Sequence, residues 1–212
     1  MTSTDWVKWH EAYGREGSGL GDRLAAVQAQ IVRRLDDTAP MPLRVVSACA
    51  GDGRDLLGAL AGRADADRVS AFLVECNTEL ATRAESAALA LPARIVVHEG
   101  NAAKSDVYAG SVPADLVLLC GIFGNISDPD IQRVIRAAPQ LCAKGAEVVW
   151  TRHRGGESDV TLQIRSWFAD AGFEEVAFIA PDSADTWSVG VHRLVGPVAD
   201  LELGQEWFRF FR

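Results

Sequence analysis

Three observations predict an α/β fold, a parallel sheet with helices on both faces. From residue 44 onward, apolar strand patterns alternate with helical ones at the spacing of strand–helix–strand units. The first unit, Arg44 to Leu57 (RVVSACAGDGRDLL), passes from β-branched residues through two glycines directly into a helical pattern. Four strand ends, at Cys49, Glu75, Asn101 and Cys120, each carry a residue type that a ligand can use. Ligands of open α/β sheets collect at the carboxyl ends of the strands.

Taken in order, Asp5 to Tyr13 places Trp6, Trp9, His10 and Tyr13 on one helical face. That face is either an aromatic cap on the domain or a lid over a ligand. Gly14 to Gly21 is then a plain loop or a hinge. Leu24, Val27, Ile31 and Leu35 form a helical stripe that should pack on the sheet, and Pro40 and Pro42 stop it. The alternating units follow: strand 44–49, helix 54–62, strand 69–75, helix 77–90, strand 94–98, a short helical stretch 102–108, and strand 114–120. Ser127 or Asp128 caps a helix from Pro129 to Ala138. Strand 146–151, an amphipathic helix 160–171 and two strands, 173–180 and 186–194, complete the pattern. The whole reads as one domain of 212 residues: a helical cap (1–40), a ligand-binding core (42–195) and an aromatic tail (196–212). Left exposed, the EWFRFF tail would be an apolar patch, so it should cover the sheet edge or another subunit, and a homodimer is one expectation.

The glycine turn narrows the ligand. Gly51 and Gly53 let the backbone take positive φ and let a ligand approach it. A dinucleotide fingerprint needs a third glycine where Leu56 stands, and a phosphate loop needs Lys then Ser or Thr where this chain has Asp52, Arg54 and Asp55. Acidic residues in the turn repel phosphates. The turn therefore suits an adenosine-type ligand without a polyphosphate. Glu75, 22 positions after Gly53, closes an apolar strand and can accept hydrogen bonds from both hydroxyls of a ribose. Asp55 reads as a first-turn acid favoured by the helix dipole.

At these residues the chain resembles the class I S-adenosylmethionine-dependent methyltransferases, over roughly Pro42 to Leu194. The resemblance implies a Rossmann-like, seven-stranded, mostly parallel sheet whose last strand is antiparallel. It implies S-adenosylmethionine as cofactor, S-adenosylhomocysteine as product, and no metal. In the glycine loop it assigns cofactor contacts to Ala48, Cys49, Ala50, Gly51 and Gly53. Beyond the second strand it assigns Glu75 and Cys76, beyond the third Asn101 and Ala102, and beyond the fourth Cys120 and Phe123, the last flanking the adenine or the methyl group. Tyr13 is the expected contact from the N-terminal segment. Two positions depart from the family's acidic-x-Gly-x-Gly-x-Gly loop: Ser47 stands for the acid and Cys49 for the first glycine. CGIFGN also lacks the Asn/Asp-Pro-Pro-aromatic loop of many amino-directed members, which argues against base or amide N-methylation.

Composition excludes other classes. Hydrophobic content of 48% and charged content of 24% are those of a folded globular protein. With 21 basic and 29 acidic residues, the net charge of −8 disfavours nucleic acid, whose binding rests on Lys and Arg. Cys49, Cys76, Cys120 and Cys142 form no CxxC pair, so no zinc site is expected. No signal-peptide order and no membrane-length apolar run occur, and a cytoplasmic location is expected.

For proton transfer, His153 in the RHRGG stretch is the candidate base, with His10 as rival, while Arg152 and Arg154 could attract an acidic substrate. The other reading of that stretch is a solvated basic turn. The expected function is methyl transfer to a small molecule. Two alternatives stand beside it: an NAD(P)-dependent oxidoreductase, and a binding protein that keeps the fold without turnover.

Overall fold

The computed structural model describes residues 19–155, 159–182 and 186–211. The aromatic face with Tyr13 and His10 lies outside the described residues. Seven strands, β1 (Leu43–Ala48), β2 (Val69–Glu75), β3 (Arg94–Glu99), β4 (Ala114–Leu119), β5 (Cys142–Arg154), β6 (Phe173–Ile179) and β7 (Thr186–Leu194), form one sheet in the order β3-β2-β1-β4-β5-β7-β6. All pairings from β3 to β5 are parallel, and β7 runs antiparallel to both of its neighbours. The chain direction of winding reverses between β1 and β4, which opens a crevice at their carboxyl ends.

Alternation along the strands builds two cores. Leu43 and Val45 of β1 face α1 (Gly19–Thr38) and α2 (Arg54–Leu60), whose Val27, Ile31, Leu35, Leu56 and Leu60 are buried there. Val46 and Ala48 face the opposite side, covered by α4 (Asp128–Ala137) and α5 (Thr161–Asp170) through Ile131, Ile135, Ile164 and Phe168. Between them, α3 (Thr78–Ala88) packs on β2 and β3. The stripe expected from residues 24–35 is thus the inner face of α1. That helix already includes Gly19 and Gly21, so the expected connector does not extend to residue 21.

Three elements differ from expectation. The first strand ends at Ala48, because Cys49 takes a left-handed backbone (φ 52°) that no strand accommodates. The stretch 102–108 contains only a four-residue 3-10 turn, Ser105–Tyr108, since Lys104 is extended and pairs with Glu206. β5 spans 13 residues and carries Arg152, His153 and Arg154 into the ladder opposite Ser188, Trp187 and Thr186, so no basic turn forms at 152–154.

Two buried ionisable groups stand out. Glu147 on β5 is fully buried, with Arg33 of α1 at 2.5 Å, Arg193 of β7 at 2.8 Å and Arg34 of α1 at 3.8 Å. His192 of β7 is 1% exposed and stacks 4.4 Å from Phe168. Its Nδ1 accepts from Trp150 Nε1 at 3.1 Å, which puts the proton of the neutral ring on Nε2, 3.6 Å from Glu175. Burial pushes this imidazole down to about 4 from its ordinary 6.5. Between those values the unfolded chain binds more protons than the folded one, so stability is fully present above pH 6.5 and falls as pH drops toward 4. The fall should total on the order of 3 kcal/mol. Urea midpoints measured across this range should show it, with a shallower slope for His192→Gln; equal slopes would contradict the assignment.

Candidate active site

The site is assembled from β1 outward. After Ala48 the chain turns sharply through Cys49 (φ 52°), Gly51 (φ 59°) and Gly53 (φ 72°) before entering α2. The turn is tied to β2 and to itself: Ala50 N–H donates to Val74 O, and Gly53 N–H to Ala50 O, both at 2.9 Å. Among the described residues Cys49 is the one non-glycine with positive φ, at the place where a glycine would take this conformation freely. Holding a cysteine there costs roughly 1 kcal/mol.

Glu75 closes β2 and is 6% exposed. Its Oε2 accepts from Gly51 N–H and its Oε1 from Asn77 N–H, both at 2.8 Å. The carboxylate is therefore fixed against the glycine turn by two backbone donors. Each carboxylate oxygen has a second lone pair, so both can still accept a hydroxyl from a ligand. Asn77 in turn caps α3 by accepting from Leu80 N–H at 3.1 Å. After β3, Gly100 N–H donates to Glu75 O at 2.9 Å, and the Asn101 carboxamide accepts from Ala103 N–H at 2.9 Å. Asn101 thus both shapes this turn and faces the site. After β4, Gly121 N–H donates to the Thr151 hydroxyl at 2.8 Å, and Asn125 donates back to Gly121 O.

Two adjoining cavities follow this edge. One, about 120 Å³, is bounded by Cys49, Ala50, Gly51, Glu75, Cys120 and Thr151 at the sheet, by Asp52 of the turn, by Arg54 and Asp55 at the start of α2, and by Arg23, Leu24 and Val27 of α1. The other, about 330 Å³, lies between Gly100–Ala103 and the C-terminal tail, with Cys49 and Cys76 between the two. A side chain at Gly121 would project into open space rather than into protein. Asp52 and Arg54 pair with each other beside the turn.

Electrostatics separates the candidate groups. Burial pushes Asp55 up to about 6, partly opposed by the hydrogen bond it accepts from Leu56 N–H. Burial also raises the Cys49 thiol well above its ordinary range, aided by Glu75, and raises Cys120, aided by Asp55. Both stay protonated at neutral pH and are poor nucleophiles.

Most of the residues expected at the site come together here: Cys49, Ala50, Gly51, Glu75, Cys76, Asn101, Ala102 and Cys120 line one cavity or the other. Ala48 is buried behind them at the strand end, and Gly53 lies beneath the turn, where an added Cβ would strike Leu57. Phe123 does not face a ligand. It is fully buried between Trp150 and Phe168, because the loop after β4 folds inward. His153 is exposed on β5 and lines neither cavity. Its neighbours are engaged with the chain itself: Arg152 donates to Phe123 O, and Arg154 meets Asp159 and Pro181 O. The basic pair expected to attract an acidic substrate thus braces loops. Sequence reasoning missed Asp55, Arg23 and Thr151 as cavity residues, and it put the tail on the sheet edge or another subunit without giving it a place in the cavity wall. Only the aromatic density of EWFRFF pointed to the tail.

Among the described residues no helix is long and apolar enough to cross a membrane, and no group of three or more His, Cys, Asp or Glu side chains is placed to hold a metal ion. No family model matches the chain, and no curated protein matches it in sequence. Solved structures do match. The magnesium protoporphyrin IX methyltransferase of Synechocystis, with bound S-adenosylmethionine, superposes with a TM-score of 0.66 at 14% identity over 90% of this chain and 91% of that one. The 1,6-didemethyltoxoflavin-N1-methyltransferase of Burkholderia thailandensis, with bound 1,6-didemethyltoxoflavin and S-adenosylhomocysteine, gives 0.67 at 13% identity over 91% and 86%. The CurJ carbon methyltransferase gives 0.66 at 10% identity, over 91% of this chain and 59% of that one. The fold is that of the class I S-adenosylmethionine-dependent methyltransferases. Its seven strands, mostly parallel with the last one antiparallel, are those the resemblance implied.

Proposed function

We propose that this protein is an S-adenosylmethionine-dependent methyltransferase acting on a small molecule. The observation that carries the reading is the Glu75 carboxylate, held at the end of β2 by Gly51 and Asn77 N–H groups and facing the crevice beside the glycine turn. Two solved proteins of this fold hold the same cofactor or its product. When bound, S-adenosylmethionine supplies a methyl group already activated by a sulfonium.

The residues present fit that ligand. Glu75 accepts the ribose hydroxyls, Gly51 lines the cavity beside it, and the open backbone at Gly121 lets the ligand approach. Asn101 and Ala102 face the nucleobase. Leu24 and Val27 of α1 exclude water from the transfer region, which serves a reaction that depends on orientation more than on acid–base help. The nicotinamide alternative gains nothing. Leu56, in place of the third glycine, is buried in the core, and Asp52 and Asp55 flank the turn where a pyrophosphate would sit. The net charge of −8 supports a small acceptor over a nucleic acid.

Asp55, at the cavity wall, is a stronger base candidate than His153, which the cavity does not contain. If Asp55 accepts the acceptor's proton, kcat should rise tenfold per pH unit below about 6 and level off above it. Asp55→Asn should abolish that limb. A profile unchanged by the substitution would remove the role. The function itself is tested by incubating the protein with S-adenosylmethionine and pooled hydroxyl, amine and carbon acids while following S-adenosylhomocysteine release. Acceptor-dependent release supports it; binding without release from any pool would leave the non-catalytic alternative.

A further inference from the structure

The tail after β7 crosses the carboxyl edge of the sheet and joins two of the loops that build the site. Gly204 N–H donates to the Asp106 carboxylate at 2.8 Å, Ser105 N–H to Gln205 O at 3.1 Å, and Trp207 N–H to Ala103 O at 2.9 Å. Farther along, Arg209 N–H reaches Asp130, and Ile126 and Phe210 form an antiparallel bridge. Phe211 N–H then donates to Asn125 O at 3.1 Å. Trp207 and Phe208 are buried, and Trp207 stacks on Tyr108 at 5.5 Å. This is a strap fixed at both ends, between the loop after β3 and the loop after β4.

The strap also walls the site. Glu206, Phe208, Arg209 and Phe210 form the side of the larger cavity opposite Asn101 and Ala102, and Phe210 alone of them reaches the smaller cavity as well. Phe210 is 38% exposed, its ring packs edge-on against Phe208 at 5.4 Å, and the residue lines both cavities. An aromatic ring that lines a cavity can stack on a base bound there.

We propose that the C-terminal strap, residues 205–210, completes the nucleobase subsite, with the Phe210 ring stacked on the purine of the adenosyl ligand opposite Asn101 and Ala102. The inference rests on the cofactor assignment above and adds a wall contributed by a segment outside the strand–helix core. The strap then couples cofactor binding to tail order: a bound purine covers Phe210, and the loops after β3 and β4 are held together through it.

The test is calorimetric titration of wild type, Phe210→Ala, Phe210→Leu and Phe210→Tyr with S-adenosylhomocysteine, with Glu75→Ala alongside. Phe210→Ala should weaken binding roughly 5- to 100-fold, the range for loss of one base–aromatic stack. Phe210→Tyr, which keeps the π-face, should bind as wild type does. Phe210→Leu keeps the bulk without the π-face and should fall between. Urea midpoints of the variants matching wild type show that the fold is intact, and Phe210→Leu carries the comparison if Phe210→Ala is destabilised. Binding within twofold of wild type for Phe210→Ala and Phe210→Leu, while Glu75→Ala loses binding, would overturn the strap's role and leave the cofactor site standing. If wild type binds no S-adenosylhomocysteine, the cofactor reading falls and takes this proposal with it.

Discussion

Replacing Glu75 with alanine is expected to weaken S-adenosylhomocysteine binding by roughly 100-fold or more, since charge-assisted hydrogen bonds to two hydroxyls are lost together. A second effect adds to the first. The carboxylate also receives the N–H groups of Gly51 and Asn77, so alanine leaves the buried Gly51 donor without its acceptor and loosens the glycine turn. The variant should therefore be less stable than wild type by about 1–3 kcal/mol. Glu75→Gln separates the two effects, because one amide oxygen still accepts from the turn while the charge is gone. Calorimetry and urea denaturation on both variants give the comparison. Wild-type affinity in Glu75→Ala would remove the ribose assignment.

Glu147→Ala is expected to lower unfolding stability by about 2–4 kcal/mol, less than the full cost of stranding a buried charge because the arginines left behind are partly exposed. The groups that lose this partner are Arg33 and Arg34 of α1 and Arg193 of β7, all within 4 Å of a fully buried carboxylate; Arg33 keeps Asp37 and Arg193 keeps Glu174. The hydrogen bond with Glu147 holds the Arg193 guanidinium above its ordinary pKa and outweighs the lowering by burial. The cluster joins α1 to β5 and β7, and α1 carries Arg23, Leu24 and Val27 to the cavity wall. The variant should thus also bind the adenosyl ligand more weakly, without touching it. Urea midpoints test the stability change. A loss below about 1 kcal/mol would mean that water reaches the arginines and screens them.

The fold was largely legible because its signals are local and periodic. β1, the glycine turn and β2 follow from Val45, Val46, Gly51, Gly53 and the apolar run to Glu75, and the two terminal strands from their alternation. Strand ends at a parallel sheet then place Glu75, Asn101 and Cys120 near one another without further information. What was hidden depends on contacts distant in sequence. Phe123 reads as a loop aromatic, yet Arg152 pulls the loop inward by its carbonyl and the ring joins Trp150 and Phe168. Arg152 to Arg154 reads as a turn because nothing in it reveals that Trp187 and Ser188 will pair with it. Asp55 has the position of a helix-start acid, and only the fold reveals that it shares a cavity wall with Arg23, Leu24 and Val27 of α1 and is half-buried there. The tail carries no register signal of its own; its hydrogen bonds to Ala103, Ser105 and Asn125 span 86 to 104 residues.

Calorimetric titration of the purified wild-type protein with S-adenosylmethionine and S-adenosylhomocysteine tests whether this crevice holds the cofactor. Micromolar binding of both, about −8 kcal/mol, is the expected result. Absence of heat from either ligand at millimolar concentration, with the protein folded, would contradict the cofactor assignment and leave only the fold.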